Sequence, residues 1–275
     1  MNNRGASNDG TNDRIKWSTR AWAECFRPTA AVRPKALLPI LRIADNVVAS
    51  HRTALVALLD TGTWFTAQQR QSILREIRRA QACKLCLQRR EAASPNWVQG
   101  EHDAATELPK HFVEIIHRIA TDSGRLTQKW FEEVTATASA QEYIEITGML
   151  AMLVILDSYA HGLGITPIEI DTVQFTGDAA HTNEPTRQSN AAVVDEGAWV
   201  PLMVAPKSEG QSEITSGLPE VPNIVRAMGI VPLAVAQFFQ IMRSHYGLQD
   251  MDVQISRPQI ELIAARVSSY NDCFY

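Results

Sequence analysis

The chain has 275 residues, roughly 1.8 times a ~150-residue domain, which allows one large domain or two modest ones. Apolar residues make up 45% and charged residues 20%, with 14 Gly and 13 Pro, so a real core can be buried and collagenous or wholly disordered classes are excluded. Lys plus Arg number 26 against 30 Asp plus Glu, a net charge of −4, which argues against nucleic acid or an anionic membrane as partner.

In chain order, the opening MNNRGASNDG has no apolar signal core, and residues 1–30, rich in Asn, Asp, Gly, Ser and Arg, read as a mobile N-terminal arm. From about Lys35 to Leu59, Ile40, Ala44, Val47, Leu55 and Leu58 recur at three- and four-residue steps, the stripe of an amphipathic helix that Asp60-Thr61-Gly62 stops. A second helix opens on a Thr66/Gln69 capping box and runs through Ile73, Leu74, Ile77 and Ala80 into Cys83-Lys84-Leu85-Cys86. Helical patterns resume after Ser94-Pro95, at about Leu108 to Thr121 and Thr127 to Thr137. A Ser139/Glu142 capping box then starts a long apolar segment to His161-Gly162, expected to be a central buried helix. Its apolar run from Ile146 to Leu156 falls well short of the ~20 residues of a membrane span, so a cytoplasmic protein with no membrane partner is expected.

Ile165 to Phe175 alternates weakly, as a short strand would; residues 176–220 read as a linker in which Val200 to Val204 packs locally. Helical patterns return at Ile224 to Met228, Pro232 to Tyr246 and Arg257 onward. The last repeats the second helix without a gap. Setting Cys273 on Cys83 places Ser256 on Thr66, Gln259 on Gln69, Ile263 on Ile73, Ala264 on Leu74 and Val267 on Ile77, which indicates an internal duplication.

The four cysteines, Cys25, Cys83, Cys86 and Cys273, are too few and too unevenly placed for a disulfide framework. A C-x-x-C pair in such a chain points to redox or metal chemistry. Zinc would need four ligands and usually a second close pair, and Cys25 and Cys273 are isolated, so no metal or other cofactor is expected.

The segments SILREIRRAQACKLCLQRREAAS and EYIEITGMLAMLVILDSYAHGLGI, with PNIVRAMGIVPLAVAQFFQIMRSHYG and RPQIELIAARVSSYNDCFY in the second half, resemble the carboxymuconolactone decarboxylase superfamily, specifically its AhpD-like alkylhydroperoxidase branch. That branch has the pattern Glu-x11-Cys-x-x-Cys-x-x-x-His. The resemblance implies an all-α AhpD-like helical bundle, with domain 1 over residues 31–175 and a partial second copy over 221–275. The departures are specific. Gln71 and Arg90 stand where the first copy should have Glu and His; the second copy has Glu261 and Cys273 in place, but Tyr275 comes one residue before the expected second cysteine.

The implied function is a thiol-dependent peroxidase or disulfide oxidoreductase acting on a hydroperoxide, with an external dithiol as reductant and a homo-oligomeric assembly. Cys86 would be peroxidatic and Cys83 resolving, and Arg90 a charge partner. Arg90, with Lys84 and Arg89, can favour a thiolate, but its pKa above ~12 prevents it from relaying protons. The alternative is a non-catalytic helical scaffold that keeps the half-motifs without the relay; the cysteine pair argues against a lactone decarboxylase.

Glu261 reads either as a relay carboxylate or as a solvated first-turn residue. His51 reads as a core or interface residue, and His111 and His117, six apart, do not share a helix face. His161 reads as structural, near a helix C-terminus. Arg75, Arg78 and Arg79 form a basic face expected to be solvated and partly paired with Glu76 and Glu91.

Overall fold

The computed structural model describes residues 45–170, 184–204, 221–246 and 255–270. The described residues are mostly helical, consistent with the all-α class that the resemblance implies. The expected N-terminal arm, Ile40, Ala44, Cys25 and Cys273 lie outside these residues.

The first described helix, α1 (Asp45–Leu59), buries Ala54, Leu58 and Leu59. It ends where Thr61 N–H donates to the Asp60 carboxylate at 2.7 Å. Next, α2 (Ala67–Ala80) starts on the expected capping box: Gln69 N–H donates to Thr66 Oγ1 at 3.2 Å, and Thr66 N–H donates to Gln69 Oε1 at 3.0 Å. Ile73, Leu74, Ile77 and Ala80 form its buried face, as the spacing requires. A turn at Gln81 and Ala82 then separates α2 from α3 (Lys84–Glu91), so the cysteines sit at the start of a fresh helix instead of within a continuous one.

After a 3-10 turn at Pro95–Trp97 come α4 (Lys110–Asp122), α5 (Gln128–Thr135) and α6 (Ala140–Gly162). The Ser139/Glu142 capping box forms, and Ile146, Met149, Met152 and Leu153 are almost wholly buried, so α6 is the central helix expected. It is long and apolar enough to cross a membrane, yet half of its apolar window is buried inside the bundle.

The second half departs from the expected boundaries. Helices α7 (Asn223–Met228) and α8 (Pro232–His245) contribute Val225, Met228, Val231, Val235 and Ile241 to the same core as α1, α2, α4 and α6. Helix α8 approaches α6 so closely that a Cβ at Gly148 would lie 3.2 Å from Ala234 Cβ. The described residues from 45 to 246 therefore belong to one compact unit, and those from 255 to 270 to another, which moves the expected boundary from residue 221 to beyond α8.

The described part of the expected linker is structured too. Strands β1 (Val193–Val194) and β2 (Leu202–Met203) pair antiparallel with Val193 opposite Met203, and Val200 and Leu202 are buried. Arg226 binds the Glu196 carboxylate through both terminal nitrogens, at 2.6 and 2.8 Å. No strand occurs within residues 165–170; residues 171–175 of the expected strand lie outside the described residues.

Helix α9 (Arg257–Tyr270) stands in the other unit and bears out the local part of the repeat: Ser256 N–H donates to Gln259 Oε1 at 2.8 Å. Its apolar residues are not covered as those of α2 are, with Ile263 56% and Val267 53% exposed.

A buried ion pair ties the main unit together. Arg70 on α2 meets Glu145 on α6 at 2.6 Å and also donates to the Leu58 and Ala57 carbonyls and to Gln237 Oε1. Glu145 accepts the Thr63 and Trp64 amides at 3.1 and 2.8 Å. A Cβ at Gly62 would overlap the Glu145 carboxylate, so this turn requires glycine.

A buried site of two cysteines and two histidines

Cys83 is the residue from which α3 springs: its backbone is extended, with φ −69° and ψ 126°, and Cys86 lies in the first helical turn. The i, i+3 relation brings both sulfurs to one side, as the sequence indicates. Both cysteines are reduced and buried. They form a small cluster with Leu85 and Val98, apart from the main core.

Two imidazoles face them. His102 comes from the connection between α3 and α4, and its Nδ1 lies 3.5 Å from both Cys83 Sγ and Cys86 Sγ. His117 comes from the middle of α4, is fully buried, and places Nδ1 3.3 Å from Cys86 Sγ. The two rings are tilted against each other with centroids 4.3 Å apart.

Each ring is held from behind by a carboxylate. His102 Nε2 donates to Glu114 Oε2 at 2.7 Å, and His117 Nε2 donates to Glu76 Oε2 at 3.0 Å. These bonds fix both rings with Nδ1 toward the sulfurs, where a neutral ring accepts from a thiol and a protonated ring donates to a thiolate. The carboxylates are themselves fixed. Glu114 also accepts from Arg89 Nη1 and from Trp130 Nε1 at 3.0 Å, and Glu76 accepts the Ala105 amide at 2.8 Å and the Thr106 hydroxyl at 2.6 Å.

The electrostatics separate the thiols. Burial opposes ionisation of Cys83, but the Cys86 amide, the His102 ring and the Asp103 amide stabilise its thiolate and bring its pKa down to about 6. The Asp103 amide donates to Cys83 Sγ at 3.4 Å, while the Asp103 carboxylate accepts the Lys84 amide at 3.0 Å. Cys86 moves the other way, pushed up first by burial and then by the neighbouring Cys83 thiolate. Burial alone would lower the pKa of His102, yet Glu114 and Cys83 raise it. Glu114, despite its own burial, is held down to about 2 by His102 and Arg89.

Several expected site residues are not here. Arg90 is half-buried one turn beyond Cys86, and no hydrogen bond among the described residues joins its side chain to either thiol; its carbonyl accepts from Arg125 Nη2 at 3.1 Å. The cation that organises the site is Arg89, acting through Glu114. Glu261 pairs with Arg257 within α9, and Cys273 lies outside the described residues. His161 is exposed at the end of α6 and takes no part; His51 instead faces His245, with the Nε2 atoms 2.6 Å apart. Glu76, expected on a solvated face, is fully buried. Arg78 binds Asp157 through two bonds of 2.9 and 2.7 Å.

His102, His117, Glu76 and Glu114 are the residues that sequence reasoning missed. The available signal was Cys-x2-Cys-x15-His-x14-His, with His111 falling inside the second gap, so spacing alone does not single out His102 and His117. Cys83 Sγ, Cys86 Sγ and one nitrogen of each histidine lie within 4.8 Å of one another, so these four donors could hold a metal ion. Comparison of the chain with protein-family models, curated proteins and solved structures finds no match in any of the three.

Proposed function

We propose that Cys83 and Cys86 are a thiol–disulfide redox pair that reduces a small hydroperoxide and is reset by an external dithiol. The observation that carries this reading is the pair of carboxylate–imidazole–sulfur chains, Glu76–His117–Cys86 and Glu114–His102–Cys83. They supply the proton relay that Arg90 cannot.

The resemblance assigned attack to Cys86. The surroundings favour Cys83, which begins a helix, receives the Asp103 amide and faces the His102 ring, all of which stabilise a thiolate. The Cys83 thiolate attacks the terminal peroxide oxygen, the O–O bond breaks, and the leaving alkoxide takes a proton from the His102 imidazolium. The product on Cys83 is a sulfenic acid. His117 then accepts the Cys86 proton; the Cys86 sulfur attacks the Cys83 sulfur, forming S–S and breaking S–O, and the departing hydroxide takes up a proton to leave as water. Two thiols of the external reductant return the pair to the reduced state by exchange.

Peroxide consumption in the presence of a dithiol tests this: the wild-type chain turns over and Cys83→Ser falls to the uncatalysed rate. Equal rates in the two proteins would contradict it. A non-catalytic scaffold is the second reading, favoured by one observation, that Cys83 is 0% and Cys86 2% exposed. Buried structural cysteines are commonly inert, and the same assay separates the two readings.

A further inference from the structure

We propose that the reduced site is a metal centre in which Cys83 Sγ, Cys86 Sγ, His102 Nδ1 and His117 Nδ1 are the four ligands of a zinc-class divalent cation. The assignment stands on the donor atoms and goes beyond the peroxide reading.

Zinc–sulfur bonds of about 2.3 Å and zinc–nitrogen bonds of about 2.0–2.1 Å, arranged tetrahedrally, set each sulfur about 3.5 Å from each nitrogen. Three such edges here are 3.5, 3.5 and 3.3 Å, and all four donors fall within 4.8 Å of one another.

A ligating histidine donates its remote N–H to a carboxylate or carbonyl, which fixes the tautomer and raises the basicity of the ligating nitrogen. Both rings do this, at 2.7 Å to Glu114 and 3.0 Å to Glu76, and both carboxylates are themselves anchored by further donors.

Helix α3 buries only Leu85 and Cys86, and the cluster of Cys83, Leu85, Cys86 and Val98 is too small to fix a helix by hydrophobic burial. The connection from 92 to 109 contains no regular element beyond the 3-10 turn, and loops of this length need a reason to be ordered. A cation joining α3, this connection and α4 provides one.

Two thiolates and two imidazoles in tetrahedral reach select zinc over magnesium or calcium, and four protein ligands leave no open position for hydrolytic chemistry. Metal binding and disulfide formation use the same sulfur lone pairs, so they exclude each other. Two zinc-bound thiolates, one hydrogen peroxide and two protons give one disulfide, two waters and a released cation.

The test is titration of the metal-stripped, reduced full chain with Zn2+, and separately with Co2+ to read geometry by absorption. The expected result is saturable uptake of one equivalent, tetrahedral Co2+ bands with a sulfur-to-metal charge-transfer band, and loss of stoichiometric uptake in Cys83→Ser and in His117→Ala. Because a ligand variant can misfold, the wild-type chain is also titrated after peroxide oxidation, where uptake is lost and a dithiol restores it. Absence of one-equivalent uptake by the reduced chain, an octahedral Co2+ spectrum, or full uptake by a chain whose Cys83–Cys86 disulfide has been verified by mass would overturn the proposal. Peroxide turnover is measured separately on metal-stripped protein. A chain that binds zinc but does not turn over peroxide leaves the metal centre standing and removes the redox reading, and the reverse result does the opposite.

Discussion

Two buried polar clusters hang from the same helix. Helix α2 sends Arg70 into one and Glu76, six residues later, into the other, and both side chains are almost wholly out of water. Around Arg70 donors and acceptors meet in complementary pairs: the guanidinium faces Glu145, two carbonyls and Gln237, and the carboxylate also takes two amides. Around Cys83 the carboxylates form only the outer layer, and the inner layer is four lone-pair donors converging on one another. The Arg70 pair is the more deeply buried, since Glu114 at the outer edge of the second cluster is partly exposed. The difference is one of direction: the Arg70 cluster closes on itself in donor–acceptor pairs, whereas four ligand-type atoms of the second converge on one another.

The largest effect separating the clusters is on stability. Glu145→Ala leaves the Arg70 charge buried without its partner and costs about 3–5 kcal/mol, read as a fall in the denaturation midpoint; below the transition the reactivity of Cys83 stays at its wild-type value. Next is the pH dependence of that reactivity in metal-stripped protein. The thiolate is the reacting form, so alkylation of Cys83 rises with pH and reaches half its plateau near about 6, where an ordinary thiol would do so near 9.0. A half-point near the ordinary value would erase the electrostatic distinction between Cys83 and Cys86.

Smaller again is Glu76→Gln, which keeps an acceptor for the Ala105 amide and the Thr106 hydroxyl but removes the charge behind His117. A loss of ~10–100-fold in turnover is expected, with the fold retained by circular dichroism. Smallest is Arg90→Ala, which leaves turnover at the wild-type level and stability within about 0.5 kcal/mol. A large loss there would return Arg90 to the site.

Local signals in the sequence suffice where a helix is specified by its own residues. The boxes Thr66/Gln69 and Ser139/Glu142 form, and Ile73, Leu74 and Ile77 are buried at the expected spacing. The match between α2 and α9 shows where such reading stops. Ser256 and Gln259 repeat the local bond of Thr66 and Gln69, yet Ile263 and Val267 are exposed where Ile73 and Ile77 are buried, because burial depends on neighbours that periodicity does not encode. The same limit applies at the site. Cys83 and Cys86 announce themselves by spacing, whereas His102 and His117 are brought in by the α3–α4 connection and α4 packing back on α3. Arg90 stood at the motif position for histidine, but the imidazoles arrive from later in the chain.

The measurement that bears most directly on the central claim is mapping of the thiols by mass spectrometry after brief exposure of metal-stripped protein to peroxide. The account predicts loss of two hydrogens within the peptide that contains both Cys83 and Cys86, reversed by a dithiol. Recovery of both residues as free, alkylatable thiols after that exposure would contradict it.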